Sequence, residues 1–242
     1  MFVGAGPGAP DLITLRGMRC LQQAEVVLYD ALIAPEMLEL IPTSAERMVV
    51  GKRCGKHSAT QDEINALLVA KAQQYQRVVR LKGGDPTVFG RLDEEIRALE
   101  SASIPYAIVP GVTATLAASA SLKLPLTVRD VSRSVTFLTA SITTHQGQSA
   151  MAQFGAYPTD GTLAFYMGRQ HCQTIAARLM AQGWSADTPM ILVHNISWTN
   201  EKHLFFTLGD ITHAEIPPCM TDAPVLVLVG HALRGRSRED LL

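Results

Sequence analysis

Residues 3–12 read VGAGPGAPDL, and two kinds of α/β protein compete for them. Gly4, Gly6 and Ala9 satisfy the G-x-G-x-x-[G/A] spacing of a dinucleotide-binding turn. Asp30 stands roughly where the ribose-binding acid of such a fold is sought. Pro7 argues the other way, because it removes one amide donor from the middle of what would be a phosphate cradle. Pro10 and Asp11 read as the start of a helix rather than as part of a ligand loop. The motif alone decides nothing, so the loops around it must.

Working outward, the first half of the chain alternates strand and helix. Short apolar or β-branched runs fall at 2–3, 25–29, 47–50, 77–81 and 106–109. The clearest helical pattern between them spans 61–75, with Ile64, Leu67, Leu68, Ala72 and Tyr75 on one face. Thr60 and Glu63 form a capping box at its start, each side chain reaching the other's backbone amide. Strand–helix–strand repetition of this kind predicts a parallel sheet with helices on both faces. At Pro110-Gly111 the texture changes to small residues (PGVTATLAASASLKLPL), which reads as a linker turning into a tightly packed helix. A second alternation follows at 134–138, 162–167, 190–193, 203–207 and 225–229. A helical pattern at 174–182 and a polar loop at 141–149 separate some of these runs. The last strands lie close together in sequence, which predicts a mixed sheet with antiparallel members. The expected fold class is therefore α/β with two α/β lobes. An N-terminal lobe over 1–111 holds a mainly parallel sheet, and a C-terminal lobe over 112–242, including the linker helix, holds a mixed one.

Composition narrows the function classes. With 47% hydrophobic residues in 242, there is ample material for a packed core. Lys+Arg at 21 against Asp+Glu at 22 disfavours a general nucleic-acid binder, which needs a positive excess. Cys20, Cys54, Cys172 and Cys219 are scattered without a C-x-x-C pair, so reduced thiols are expected. The glycine loop follows directly on Met1, which argues against a signal peptide, and no apolar run is long enough to cross a bilayer. A cytoplasmic protein is expected, with no membrane partner. The seven histidines lack H-E-x-x-H or other ligand spacing, so no metal site is expected. Neither a G-x-S-x-G elbow nor a Walker A motif is present.

The unusual residues gather after strands. GAGPG follows the first, Asp30 the second, GKRCGKH (51–57) the third, KGGDP the fourth and PGVTA (110–114) the fifth. Ligands of open α/β sheets bind outside the carboxyl ends of strands, so these five loops can converge on one crevice. Each loop also has a plainer reading. Asp30 could simply turn the chain. Lys52, Arg53, Lys56 and His57 could be a solvated basic rim, although a compact cationic loop suits a ligand bearing several carboxylates. In KGGDP the glycines permit close backbone approach to a ligand and Asp85 can accept from a hydroxyl or amino group; a bare turn is the alternative. Met167, ending the run FYMG, is of a type usually found in cores, with Gly168 hinting at a ligand wall.

These residues resemble the tetrapyrrole methylases, and among them the uroporphyrinogen III C-methyltransferases. The likeness covers nearly the whole chain. It rests on VGAGPGAPDLITL, VVLYDALI, VGKRCGKHSATQDEIN, VVRLKGGDPTVFGRLDEE, VPGVTATLAASA, LPLTVRD and FYMG. The resemblance implies S-adenosylmethionine bound in a crevice between the lobes, with S-adenosylhomocysteine as product. It implies two successive C-methylations of uroporphyrinogen III, through precorrin-1 to precorrin-2, in sirohaem or cobalamin biosynthesis. By family position Pro7, Gly83, Gly84, Asp85, Val88, Thr113, Ala114 and Met167 would contact the cofactor. Asp30 would accept a proton and Lys52 would donate one. Arg91 would hold substrate carboxylates, with Arg129, Arg53 and His57 as further candidates. A homodimer is implied as well. The chain departs from the family pattern at Ala9 (usually Asp), Leu92 (Gly), Val128 (His) and Ile196 (often Gly). A methylase acting on a different precorrin and an NAD-dependent oxidoreductase are the alternative functions.

Overall fold

The computed structural model describes residues 1–50, 59–140, 155–217 and 224–234. The chain divides into two compact units, Met1–Ala114 and Thr115–Leu242. The polar run 141–149 lies outside the described residues.

The first unit is built on a five-stranded, all-parallel sheet in the order β3-β2-β4-β1-β5. Its strands are β1 (Phe2–Gly4), β2 (Val26–Tyr29), β3 (Glu46–Val49), β4 (Val78–Lys82) and β5 (Ile108–Val109). β2 reads as an apolar run because helices cover both faces of the sheet, and β4 is as fully buried although it carries Arg80 and Lys82. On one face lies α1 (Leu15–Gln22), whose Gly17 comes so near Val3 that a Cβ there would sit 3.1 Å from the valine Cγ1. On the other lie α3 (Gln61–Gln74) and α4 (Leu92–Ser101), which close a core of Phe2, Val26, Leu28, Ile64, Leu68, Val78 and Leu99. The short α2 (Pro35–Leu38) follows β2. The expected capping box of α3 is present: Thr60 Oγ1 accepts from the Glu63 amide at 3.2 Å and Glu63 accepts from the Thr60 amide at 2.6 Å.

This strand order fixes where a ligand belongs. From β1 the chain crosses over β4 to reach β2, whereas from β4 it crosses over β1 to reach β5. Right-handed crossovers in opposite directions put α1 and α4 on opposite faces. The chain therefore leaves the neighbouring strands β1 and β4 in opposite senses, and the crevice outside their carboxyl ends is the topological switch point. The loops at that point are those of Gly4–Gly6 and Gly83–Gly84.

The second unit carries a five-stranded mixed sheet, β6-β7-β10-β8-β9. β6 (Ser134–Thr139) and β7 (Gly161–Tyr166) are parallel. β8 (Pro189–His194), β9 (Lys202–Thr207) and β10 (Val225–Val229) complete it through antiparallel pairs. β10 is wholly buried and β8 nearly so, so both read as continuous apolar runs. Their inward side chains Met190, Leu192, Val225, Val227 and Val229 pack with Ile175 and Leu179 of α6 (Cys172–Ala181). Leu208 and Ile211 of α7 (Leu208–Ile211) complete this core with Trp184. The Ala/Ser-rich run forms α5 (Ala114–Leu122). No helix among the described residues is long and apolar enough to cross a membrane.

Candidate functional site

The glycine loop of residues 4–6 binds another loop. The Ala5 amide donates to the Lys82 carbonyl at 2.8 Å. Gly6 and Gly84 exchange backbone hydrogen bonds, Gly6 N to Gly84 O at 3.2 Å and Gly84 N to Gly6 O at 2.6 Å. Gly6 at φ 80° and Gly84 at φ 65° adopt the left-handed conformation this crossing needs. The next helical turn, Pro10–Leu12, is a short 3-10 piece, and α1 begins only at Leu15 with Thr14 as its cap. A dinucleotide turn instead opens directly into a helix whose free amides receive the pyrophosphate. Here two of those amides are committed and the helix starts too late.

The PGVTA loop joins the same cluster. A Cβ at Gly111 would lie 2.3 Å from the Gly84 carbonyl oxygen, and one at Gly4 would lie 2.6 Å from Gly111 Cα. Three backbones thus touch at the switch point with no space for a side chain. Gly83, one residue away, is exposed and has nothing within 4 Å of a Cβ position. Its backbone is open on that side.

Asp85 fastens this arrangement. Its Oδ1 accepts from the Thr87 amide at 2.8 Å and from Thr87 Oγ1 at 2.5 Å, and its Oδ2 accepts from the Gly111 amide at 3.0 Å. Burial by itself pushes the carboxyl up. The bonds from Thr87 and from the Gly111 amide outweigh that and hold it below its ordinary value. Three of roughly four acceptor sites on the carboxylate are filled from within the protein. Asp85 is thus first a clamp between two loops, with room for about one ligand donor. Val88 is half-buried in the same turn, its amide bonded to the Asp85 carbonyl at 3.2 Å. Thr113 is buried beside Gly84, and Pro7 is half-buried.

Asp30 stands just past β2. Strand alternation carries Val26, Leu28 and Asp30 onto one face, and Val78, Arg80 and Lys82 of the neighbouring β4 onto the same face. Asp30 is 28% exposed and accepts from Arg80 Nη2 at 2.5 Å, while Arg80 itself is 3% exposed. Arg80 Nε donates to Glu95 Oε1 at 3.0 Å, and Lys82 Nζ donates to Glu95 Oε2 at 2.9 Å. Arg80, Lys82 and Glu95 were not singled out from sequence. Two cations two residues apart in an otherwise apolar buried strand were the available signal.

Arg91 begins α4 from a left-handed backbone at φ 53°, and its exposed guanidinium forks onto Glu94 at 2.7 and 2.8 Å. In the second unit Met167 is 52% exposed with φ 54°, which is the reverse of a core methionine. A bulky residue held left-handed is strained, and such residues gather at ligand sites. Tyr166, beside it, accepts from the Thr115 amide at 3.3 Å and from Thr115 Oγ1 at 2.9 Å, which ties the end of β7 to Thr115 of α5. Arg129 is 95% exposed on the turn between Val128 and Ser132. Lys52, Arg53 and His57 lie outside the described residues.

Each departure has a local account. Ala9 precedes the 3-10 turn without a side-chain cap. Leu92 adds a buried side chain to the core at the head of α4. Val128 pairs with Ser132 across its turn. Ile196 is buried between Asn195 and Ser197, both left-handed. No cluster of His, Cys, Asp and Glu able to hold a metal ion occurs among the described residues.

Comparison with known proteins supplies the context for this geometry. Residues 1–212 match the family model described as Tetrapyrrole (Corrin/Porphyrin) Methylases. The siroheme synthase of Pseudomonas entomophila is 44% identical over 237 residues, which is 98% of this chain and 50% of that protein. The chain spans about half the length of the curated relatives it matches. Among solved structures, the native uroporphyrin III C-methyltransferase of Thermus thermophilus superimposes with TM-score 0.81 at 32% identity, covering 100% of this chain and 96% of that one. The enzyme from the same organism complexed with S-adenosyl homocysteine gives TM-score 0.80 at 34% identity over 96% and 97%.

Proposed function

The chain belongs to the tetrapyrrole methylase family, and from that premise we propose that it methylates uroporphyrinogen III at two ring carbons. S-adenosylmethionine is the donor, and the product is precorrin-2, formed by way of precorrin-1. The observation that carries this reading is the side-chain-free glycine cluster at the switch point, with the Asp30 carboxylate one strand away. The residues present suit the cofactor. Gly83 and Gly84 allow close backbone approach, Asp85 keeps an acceptor site, and Pro7, Val88, Thr113, Ala114 and Met167 supply apolar and hydroxyl contacts.

When bound, the cofactor supplies a methyl on a cationic sulfur, electrophilic enough for an electron-rich pyrrole carbon, and departs as S-adenosylhomocysteine. The work of the chain is alignment. The Asp85 clamp and the Gly6–Gly84 bonds fix the loops, which makes the approach of carbon to methyl effectively intramolecular. Methylation leaves the macrocycle with one positive charge too many, and Asp30 accepts the proton that restores it. Lys52 is the proton donor in this reading. Arg91, with two of its five donors on Glu94, keeps others for a substrate carboxylate, and Arg129, Arg53 and His57 serve the same acidic periphery. The reading also includes a cytoplasmic location and a homodimer, which sedimentation tests.

The test is anaerobic incubation of the purified protein with labelled S-adenosylmethionine and uroporphyrinogen III. Label in the tetrapyrrole is expected. Label left wholly in the cofactor contradicts the proposal. Label accepted only by another precorrin overturns the substrate and keeps the enzyme class. Calorimetric titration with NADH beside S-adenosylmethionine decides against or for an oxidoreductase.

A further inference from the structure

Three charged side chains of the first unit are buried where apolar ones would serve stability as well. Arg80 and Lys82 are each 3% exposed and Glu95 1%. Buried ion pairs commonly add no stability over apolar packing of the same volume, so stability alone does not account for them. Their order in space is informative: Lys82, Glu95, Arg80 and Asp30 form one chain of alternating charge that ends at the only member partly open to solvent.

Resting on the reading of Asp30 as proton acceptor, we propose that Arg80, Glu95 and Lys82 are positioning residues that hold the Asp30 carboxylate fixed in direction. None of the three is placed to touch substrate. Arg80 presents its Nη2 to Asp30 and its Nε to Glu95, while Nη1 donates to the Leu81 carbonyl at 3.3 Å, so the guanidinium plane has no freedom to turn. Glu95 holds that plane from α4, and Lys82 neutralises its second oxygen. Burial and the neighbouring Arg80 charge push the Lys82 ammonium below its ordinary value, against the pull of Glu95 and Asp30. Among the described residues, the charged groups set against Asp30 are Arg80 and Lys82 from β4 and, through Arg80, Glu95 from α4.

The test is a single-turnover methyl-transfer rate under anaerobic conditions, beside the calorimetric affinity for S-adenosylmethionine. The variants are Arg80→Gln, Glu95→Gln and Asp30→Asn, with Arg80→Lys as the conservative control. Arg80→Gln is expected to keep the cofactor affinity and to lose about 100-fold in rate, as for misplacement by roughly an ångström. Arg80→Lys keeps the charge without the planar fork and is expected to recover little of that rate. Glu95→Gln is expected to lose rate as well, because the Arg80 plane is freed to turn. A wild-type rate in Arg80→Gln, or full recovery in Arg80→Lys, overturns the proposal. If Arg80→Gln fails to fold, Glu95→Gln decides alone, and an unchanged rate there overturns it. Asp30→Asn separates the two readings. An active Asp30→Asn enzyme removes the proton-acceptor role and the positioning role with it. An inactive one, beside wild-type rates in the other two variants, overturns the positioning role only.

Discussion

A methyl group placed at Gly83 and one placed at Gly111 make the same chemical change on adjacent loops, and they should have opposite consequences. At Gly111 the new Cβ would meet the Gly84 carbonyl oxygen at 2.3 Å and Gly4 Cα at 2.9 Å. Ordinary contact starts at 3.4 Å, so the two loops must part by about 1.1 Å. Overpacking of that kind costs about 1–3 kcal/mol. For a domain of this size it lowers Tm by roughly 2–12 °C. The same displacement moves the loops proposed to align the reacting groups, and a turnover loss of about 100-fold is expected. At Gly83 nothing lies within 4 Å of the new Cβ. Gly83→Ala should therefore leave Tm unchanged within about 0.5 kcal/mol of stability. If the adenosyl group lies over that open backbone, the methyl takes its place, and affinity for S-adenosylmethionine falls at least about tenfold, or roughly 1.4 kcal/mol. Scanning calorimetry and titration calorimetry on both variants read these quantities. Wild-type affinity in Gly83→Ala would refute the proposed path of the cofactor. Wild-type Tm in Gly111→Ala would refute the close packing of the three loops.

Asp85 makes stability depend on acidity with a definite sign. Its carboxyl is held below its usual 3.8 in the folded chain. The associated stability is therefore complete above the unfolded value and is lost as pH falls through the folded one. Asp85→Asn, which cannot ionise, should melt below wild type near about pH 7 and approach it near about pH 3; a constant gap across that range would contradict the clamp. Thr60→Ala removes the cap of α3 and should cost about 1 kcal/mol, seen as a fall of roughly 2–4 °C in Tm with cofactor affinity unchanged.

What the sequence discloses depends on how local its cause is. All ten strands and α3 with its capping box follow from periodicity and from side chains three or four residues apart, and the described structure contains them. The parallel and mixed characters of the two sheets follow from the spacing of those strands. The nature of the glycine loop was half legible: Pro7 argued against a phosphate cradle, but the partner that receives the Gly6 amide, Gly84, is far along the chain. Asp85 reads as a ligand acceptor because its Gly111 partner is 26 residues away, although the Thr87 bonds two residues on were in reach. Arg80, Lys82 and Glu95 escaped because each looks ordinary alone. Only the register of β4 with β2 and the packing of α4 turn them into one charged chain ending at Asp30. Met167 differs again, since neither its exposure nor its left-handed backbone can be read from its residue type.

The most direct measurement is one anaerobic time course of the purified protein with uroporphyrinogen III and excess S-adenosylmethionine. It is followed by mass spectrometry of the tetrapyrrole and by counting S-adenosylhomocysteine. The account predicts a transient species carrying one added methyl, a final product carrying two, and two molecules of S-adenosylhomocysteine per macrocycle. A tetrapyrrole of unchanged mass with no S-adenosylhomocysteine formed would contradict it.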